Sequence, residues 1–449
     1  MPTPDAPVRK LDDLLVLFHE AETPRERWLI GTEAERFAVG QADGSPLPYD
    51  GPVSVVTIFN YLIREHGWEP ERELKDGPIV ALRRRDASVT LEPGSQIELS
   101  GAPYRTVHEG KAESDAHWQE LAPIIEELGL VWLGLGYHPF CTVEELGWVP
   151  KIRYEVMREY LPTRGSMAAE MMTKTTTVQA NLDYASEEDA MRKLRVGLRA
   201  QPLVTAMFAN SPWQEGRRSG FRSYRALVWL HMDPDRSGLL PFAWKDHPRY
   251  LDYVEWALDA PMFLVKRGSK VYRNTGQTFR SFMNDGFQGV KANYNDWVIH
   301  LSTLFPEVRL KSTLEYRGAD AQNKETSFAL PALWKGLLYD DQSFSGLEAL
   351  VDSWSYPEVE RHREAFARHG VRTRFLGREV TDWAGEILEL AEAGLRRLDD
   401  QNDAGQDETV LLEPLRALLE RAQCPADLVL KEIPYDAPAR ADIIAVTKL

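Results

Sequence analysis

Four short segments each set polar or ionisable side chains two residues apart. They are Glu33 and Glu35 in LIGTEAERFAV, Gln96 and Glu98 in SQIELS with Glu92 just upstream, Gln179, Asn181 and Asp183 in VQANLDY, and Thr313, Glu315 and Arg317 in STLEYRG. In an extended strand, residues two apart share a face. Taken singly, each set reads as the solvated side of an antiparallel sheet. Together they read differently, because a solvated face mixes Lys, Thr, Glu and Arg, and like charges opposed on neighbouring strands repel. Leaving Glu92 aside, these sets carry four glutamates, an aspartate, one arginine and no lysine. Such a floor calls for cations, and hard oxygen donors suit Mg²⁺, which is commonly shared with substrate phosphates. Separate carboxylate groups predict more than one ion. Arg317 next to Glu315 adds a positive fork of the kind that stabilises phosphoryl transfer.

A second cluster, EGRRSGFRSYR, brings Arg217, Arg218, Arg222 and Arg225 together near Phe221, Tyr224 and Trp229. It reads either as a solvated charge run or as a site for a carboxylate or phosphate ligand. Lys174 and Lys311 are lesser candidates. The chain contains no GxxxxGK[ST], GxSxG, HExxH or CxxC, and GLGYHP lacks the third glycine of a dinucleotide fingerprint. His138, beside Pro139, reads as structural, and Cys141 and Cys424 read as buried free thiols.

The elements that must hold these residues are legible as patterns. Helices are predicted over residues 8–22, Ile58 to His66, about Val107 to Leu128, and from Ser186, whose hydroxyl caps an acidic first turn. Strands are predicted over Leu29 to Val39, Ile79 to Leu82, Val89 to Ser100 with a break at Pro93-Gly94, VWLGLG, TTTVQANLDYAS and VRLKSTLEYRGAD. Residues 211–247, rich in Gly, Pro and Arg, are expected to be ordered loops around a site. From Trp334 onward the pattern is helical, including 382–398 and 410–423. Strands mixed irregularly with helices predict an α+β fold with an antiparallel sheet.

The totals bound the function. A chain of 449 residues with 43% hydrophobic content supports a large core, read as a single catalytic unit, 1–449, with a sheet-based core over 25–340 and a mainly helical part over 341–449. A net charge of −16 disfavours nucleic acid and anionic membranes. The acidic start lacks the features of a secretion or transit signal, so a cytosolic protein is expected, as a monomer or weak homodimer.

Beyond these patterns, GTEAERF, LEPGSQIELSGAP, TVQANLDYASEEDAMRKLRVGLRAQPLVTAMFANSPW, YNDWVIHLSTLFPEVRLKSTLEYRGAD and LPALWKGLLYD resemble, in order, successive blocks of the glutamate-cysteine ligase family of plants and many proteobacteria. The resemblance implies a glutamine-synthetase-like curved antiparallel sheet with surrounding helices. It also implies ATP-dependent coupling of the γ-carboxylate of glutamate to the amine of cysteine through a γ-glutamyl phosphate, the first step of glutathione synthesis. It implies metal ligation, by two or more Mg²⁺, at Glu33, Glu35, Glu92, Glu98 and Glu315. Gln179, Asn181 and Arg317 line the ATP site on this reading, with Glu315 and Arg317 catalytic. Arg225, with Gln96 and the less well matched Arg222, is assigned to substrate. The family has His and Lys where Ala34 and Arg36 stand, on the far face of the strand, and the plant enzymes have Gln at His138. Their regulatory cysteine pairs have no counterpart in Cys141 and Cys424, so thiol regulation of that kind is not expected. Rival readings are a glutamate ligase with another amine acceptor, a guanidino phosphotransferase of the same fold, and a non-catalytic ATP or metal sensor.

Overall fold

The computed structural model describes residues 2–268 and 270–449. Among these, the principal sheet has nine strands: β1 (Ile30–Gly40), β2 (Glu69–Arg72), β3 (Ile79–Arg84), β4 (Ala87–Leu91), β5 (Ile97–Ser100), β6 (Leu130–Leu133), β7 (Thr177–Leu182), β8 (Val308–Leu310) and β9 (Leu314–Asp320). Their spatial order is β8-β9-β7-β1-β5-β4-β3-β2, and β6 pairs with the distal part of β1. Every pairing is antiparallel, as the alternating patterns predict. β1 is central: Glu33–Arg36 pair with β5, and Phe37–Gly40 pair with β6.

Alternation sorts the two faces. Val178, Ala180, Leu182, Leu314 and Tyr316 point to the apolar side and are fully buried. There the helix Glu187–Met207 covers β8 and β9, and Ala329–Leu338 covers β7. The Tyr316 ring lies 4.1 Å from that of Trp334, and its hydroxyl donates to the Lys193 carbonyl at 3.0 Å. Side chains of Glu33, Glu35, Gln179 and Arg317 take the opposite side, where a cleft opens. The helix Val380–Leu398 packs on Ala329–Leu338 so closely that a methyl on Gly394 would strike the Gly336 carbonyl, so glycine is required there.

Three expectations are revised. The single strand predicted over VRLKSTLEYRGAD is a hairpin, β8-β9, closed by a Lys311 N–H to Thr313 O bond at 2.9 Å. The loop predicted over 211–247 contains a helix, Tyr224–Leu230, whose N-cap Ser223 accepts from the Ala226 N–H. Asp183 lies beyond the end of β7 and accepts from the Leu29 N–H at 2.8 Å, so it closes the end of the β1-β7 pair and takes no part in the cleft floor.

Candidate active site

The cleft over the polar face encloses about 930 Å³, its open mouth included, within the range of small-molecule sites. Glu33, Glu35, Glu92 and Glu98 line it together with Arg153, Arg225, Arg309, Lys311 and Arg317. The sheet register explains the convergence. Glu35 stands directly opposite Glu98 across β1 and β5, Glu33 opposite Gln179 across β1 and β7, and Glu315 opposite Arg309 across the hairpin. Glu92 comes from the turn before β5. That turn is tightly packed: a methyl on Gly94 would lie 2.5 Å from the Thr173 carbonyl oxygen, and Ser95 adopts a φ of 69°. Lys151 Nζ and the Tyr154 hydroxyl donate to the Leu91 carbonyl at 2.9 and 2.5 Å, fixing the turn from beneath.

The carboxylates are short of counter-charge. Oxygens of Glu35, Glu92 and Glu98 lie within 4.8 Å of one another, close enough to share one ion. Glu35 accepts from the Thr177 N–H at 3.1 Å; Glu98 accepts from the Thr90 and Ser100 hydroxyls at 2.8 and 2.7 Å. Burial, then the charges of Glu92 and Glu98, hold the Glu35 carboxyl well above its ordinary range. Burial, then Glu315 and Glu98, push Glu33 up to about 8. Burial and Glu92 raise Glu98 as well. An all-oxygen set of partly hydrogen-bonded, mutually repelling carboxylates fits a hard divalent cation. In metal-free buffer these groups bind more protons folded than unfolded, so stability is greatest below their unfolded pKa, near 4.5, and falls as pH rises towards about 8. We therefore expect Tm, measured by calorimetry, to fall between pH 5 and 8, and Mg²⁺ to flatten that slope.

Glu315 differs from the other acids. Arg309 grips it bidentately, with Nη2 at 2.8 and 2.7 Å and Nε at 2.9 Å, while Lys311 Nζ lies 3.2 Å and Arg317 Nε 3.5 Å away. Although burial opposes it, the cations of Arg309, Lys311 and Arg317 hold this carboxyl far below the usual range. Expected as a metal ligand, Glu315 has both oxygens engaged by Arg309, a consequence of the hairpin that the single-strand reading lacked.

Arg317 and Gly318 form a β-bulge opposite Gln179, between Tyr316 and Ala319. Arg225 braces it, donating from Nη2 to the Arg317 carbonyl at 2.9 Å and from Nη1 to the Gly318 carbonyl at 3.3 Å. The brace depends on Asp320, which accepts from the Asn210 N–H and from the Ser211 and Ser223 hydroxyls at 2.7, 2.6 and 2.8 Å. Ser223 and Ser211 in turn bond the first turn of the helix that carries Arg225. The Arg317 guanidinium lies 5.2 Å over Trp229 and 5.5 Å from the Phe305 ring. Arg225 Nε, Arg317 Nη1 and Gln179 Oε1 are buried without a protein hydrogen-bond partner. Orphaned polar atoms facing a polar cleft are what a bound ligand would satisfy.

Other expected site residues are placed differently. Asn181 braces the floor, donating to Glu33 Oε1 at 2.8 Å. Gln96 lines the cleft, but its amide accepts from the Gly94 N–H at 2.8 Å and donates to the carbonyls of Met172 and Thr175 at 3.2 and 3.0 Å, so it holds the turn and has little left for substrate. Arg222 is outside the cleft: its Nε donates to Asp427 at 2.8 Å in a separate surface hollow. Alternation within a loop carries no facing information, so the sequence had no means of separating Arg222 from Arg225. We expect Arg222→Ala to leave kcat unchanged and to cost about 1–3 kcal/mol in denaturant unfolding, the penalty for stranding Asp427. Lys174 pairs with Glu215 at 3.2 Å away from the cleft, while Lys311 lines it. His138 accepts weakly from the Phe140 and Cys141 N–H groups, and burial lowers it to about 3, a structural histidine. Both cysteines are free and buried, as expected. Sequence reading missed Arg309, Arg153 and Asp320. For Arg309 a signal existed, since it alternates with Val308 and Leu310. None existed for Arg153.

The chain is similar to known proteins in sequence and in fold. The model of glutamate-cysteine ligase family 2 (GCS2) matches residues 29–447. The chain is 39% identical over 422 residues to the chloroplastic glutamate-cysteine ligase B of Oryza sativa subsp. japonica, covering 93% of this chain and 83% of that one. It is 38% identical over 423 residues to the chloroplastic enzyme of Arabidopsis thaliana, with 94% and 79% covered. The glutamate-cysteine ligase of Francisella tularensis, solved in complex with AMP, shares the fold at a TM-score of 0.57 and 10% identity, over 93% of this chain and 87% of that one. The expectation of a cytosolic protein, drawn from the lack of recognisable signal features at the start, does not stand, because the relatives in rice and Arabidopsis are chloroplastic. Among the described residues, no helix is long and apolar enough to cross a membrane. With its glutamine-synthetase-like α+β sheet, its acidic cleft floor and a family match over nearly its whole length, this chain belongs to glutamate-cysteine ligase family 2.

Proposed function

We propose that the cleft joins the γ-carboxylate of L-glutamate to the amine of L-cysteine at the cost of ATP, giving γ-glutamylcysteine, ADP and phosphate. Family membership over residues 29–447 supports the reaction, and the observation that carries it to this cleft is the floor where Glu35, Glu92 and Glu98 converge beside the orphaned donors of Arg225 and Arg317. A γ-carboxylate oxygen attacks the terminal phosphorus and ADP leaves. The cysteine amine then attacks the acyl carbon of the γ-glutamyl phosphate, phosphate leaves with the C–O bonding pair, and the nitrogen loses its proton to solvent.

Glu35, Glu92 and Glu98, with Glu33 beside them, would hold Mg²⁺, which when bound neutralises phosphate charge and orients it. The protein's own groups do the rest by positioning. Arg317, held by the bulge and by Glu315 at 3.5 Å, presents its free Nη1 to developing phosphoryl charge. Arg225 offers Nε to a carboxylate, and Gln179 offers Oε1 as an acceptor. Trp229 and Phe305 wall the cleft near Arg317 and limit its exposure to water. No nucleophilic side chain is required, in keeping with catalysis by orientation and charge neutralisation.

The test is ADP release with glutamate, ATP and Mg²⁺ against a panel of amines. Release with cysteine well above that with glycine, alanine or 2-aminobutyrate supports the assignment. Preferred turnover of another amine retains the ligase and replaces the acceptor; no release with any amine overturns the catalytic reading.

A further inference from the structure

On the reverse side of β1, Arg36 points away from the cleft into a small cavity beneath the helix Val107–Glu127. The cavity is lined by Arg36, Ser114, His117, Trp118, Leu121 and Trp132, with aliphatic residues of β5, and its free space is comparable to one water or halide. Arg36 is only 7% exposed. Among the described residues no carboxylate lies within ion-pair distance of it. Its Nη1 donates to the Ala34 carbonyl at 3.3 Å, and its Nε is buried without a partner. The Nε1 of Trp132, which is 5% exposed, is likewise buried without a partner. The nearby carboxylate of Glu120 is engaged with Arg84, Trp68 and His117. The Arg36 guanidinium stacks 4.4 Å from the Trp118 ring, which orients the charge without neutralising it.

A buried guanidinium lacking a counter-charge is costly, and unsatisfied N–H donors on two residues that line one cavity add to that cost. Water would accept hydrogen bonds there and leave the charge unpaired. We propose that this cavity binds one small monovalent anion of the chloride class, held by Arg36 Nε and Trp132 Nε1. The ion sits on the side of the sheet opposite the acidic cleft and anchors β1 against the helix above it.

The test uses the full-length protein. Tm is measured in chloride or bromide against gluconate, which is too large to enter, at matched ionic strength. Crystals grown in bromide are examined for an anomalous peak. We expect a saturable rise of a few degrees with halide, lost in Arg36→Met and reduced in Trp132→Phe, and a bromide peak between the two nitrogens. If Arg36→Met fails to fold, the Trp132→Phe titration and the wild-type bromide peak still decide. Halide responses equal to gluconate, or a cavity holding only water in bromide-grown crystals, overturn the proposal.

Discussion

Glu35→Gln is expected to lower kcat by about 10²–10³ while leaving Tm in metal-free buffer unchanged or higher. The amide keeps the shape of the carboxylate, and its carbonyl can still accept the Thr177 N–H, which the carboxylate accepts at 3.1 Å. What it removes is one of three oxygens within 4.8 Å of each other, and with it part of the negative charge that would hold a cation. In the absence of metal that charge is a liability: burial, Glu92 and Glu98 all push the Glu35 carboxyl towards its neutral form. A neutral replacement relieves that strain, an opposition between stability and activity expected where a site assembles like charges. ADP release and calorimetry on one preparation check both halves. Full activity would remove Glu35 from the metal set; a large loss of Tm would mean the carboxylate is structural.

The second large effect concerns the two arginines beside Glu315, whose loss should differ in its effect on stability. Arg317→Ala is expected to reduce kcat by about 10³–10⁵, the range for an arginine that stabilises phosphoryl transfer, with little change in unfolding free energy. Arg317→Lys recovers little of it, because one ammonium cannot reproduce the planar fork. Arg309→Ala strips Glu315 of its bidentate partner, which holds its oxygens at 2.7–2.9 Å in full burial, and should cost about 3–5 kcal/mol in urea unfolding. Lys311 and Arg317 then collapse towards the bare carboxylate, so Arg309→Ala also loses activity. Unfolding curves separate the two. Equal destabilisation by both changes would show that Arg317 is part of the ion-pair scaffold and has no separate role towards phosphate.

The sequence determined the strands and which of their residues share a face. Glu33 with Glu35, Gln96 with Glu98 and Gln179 with Asn181 are spaced by the pleat itself, a local geometric fact that holds wherever the strand ends up. Capping also read through directly at Ser186, which starts its helix with a hydroxyl that accepts the Asp189 N–H. Only the tertiary structure decided partners and registers. That Glu35 meets Glu98 and that Glu315 falls to Arg309 depends on pairings between distant segments and on a tight turn at Lys311–Thr313 that alternation does not reveal. The same holds for Arg222 and Arg225, three residues apart on either side of a helix start. One faces Asp427 at the surface and the other braces the bulge, because Asp320 sets the start of the helix between them. Side-chain periodicity is fixed by the backbone of each segment, whereas opposition across strands is fixed by the packing of the whole chain, so the acids could be read in advance and their partners could not.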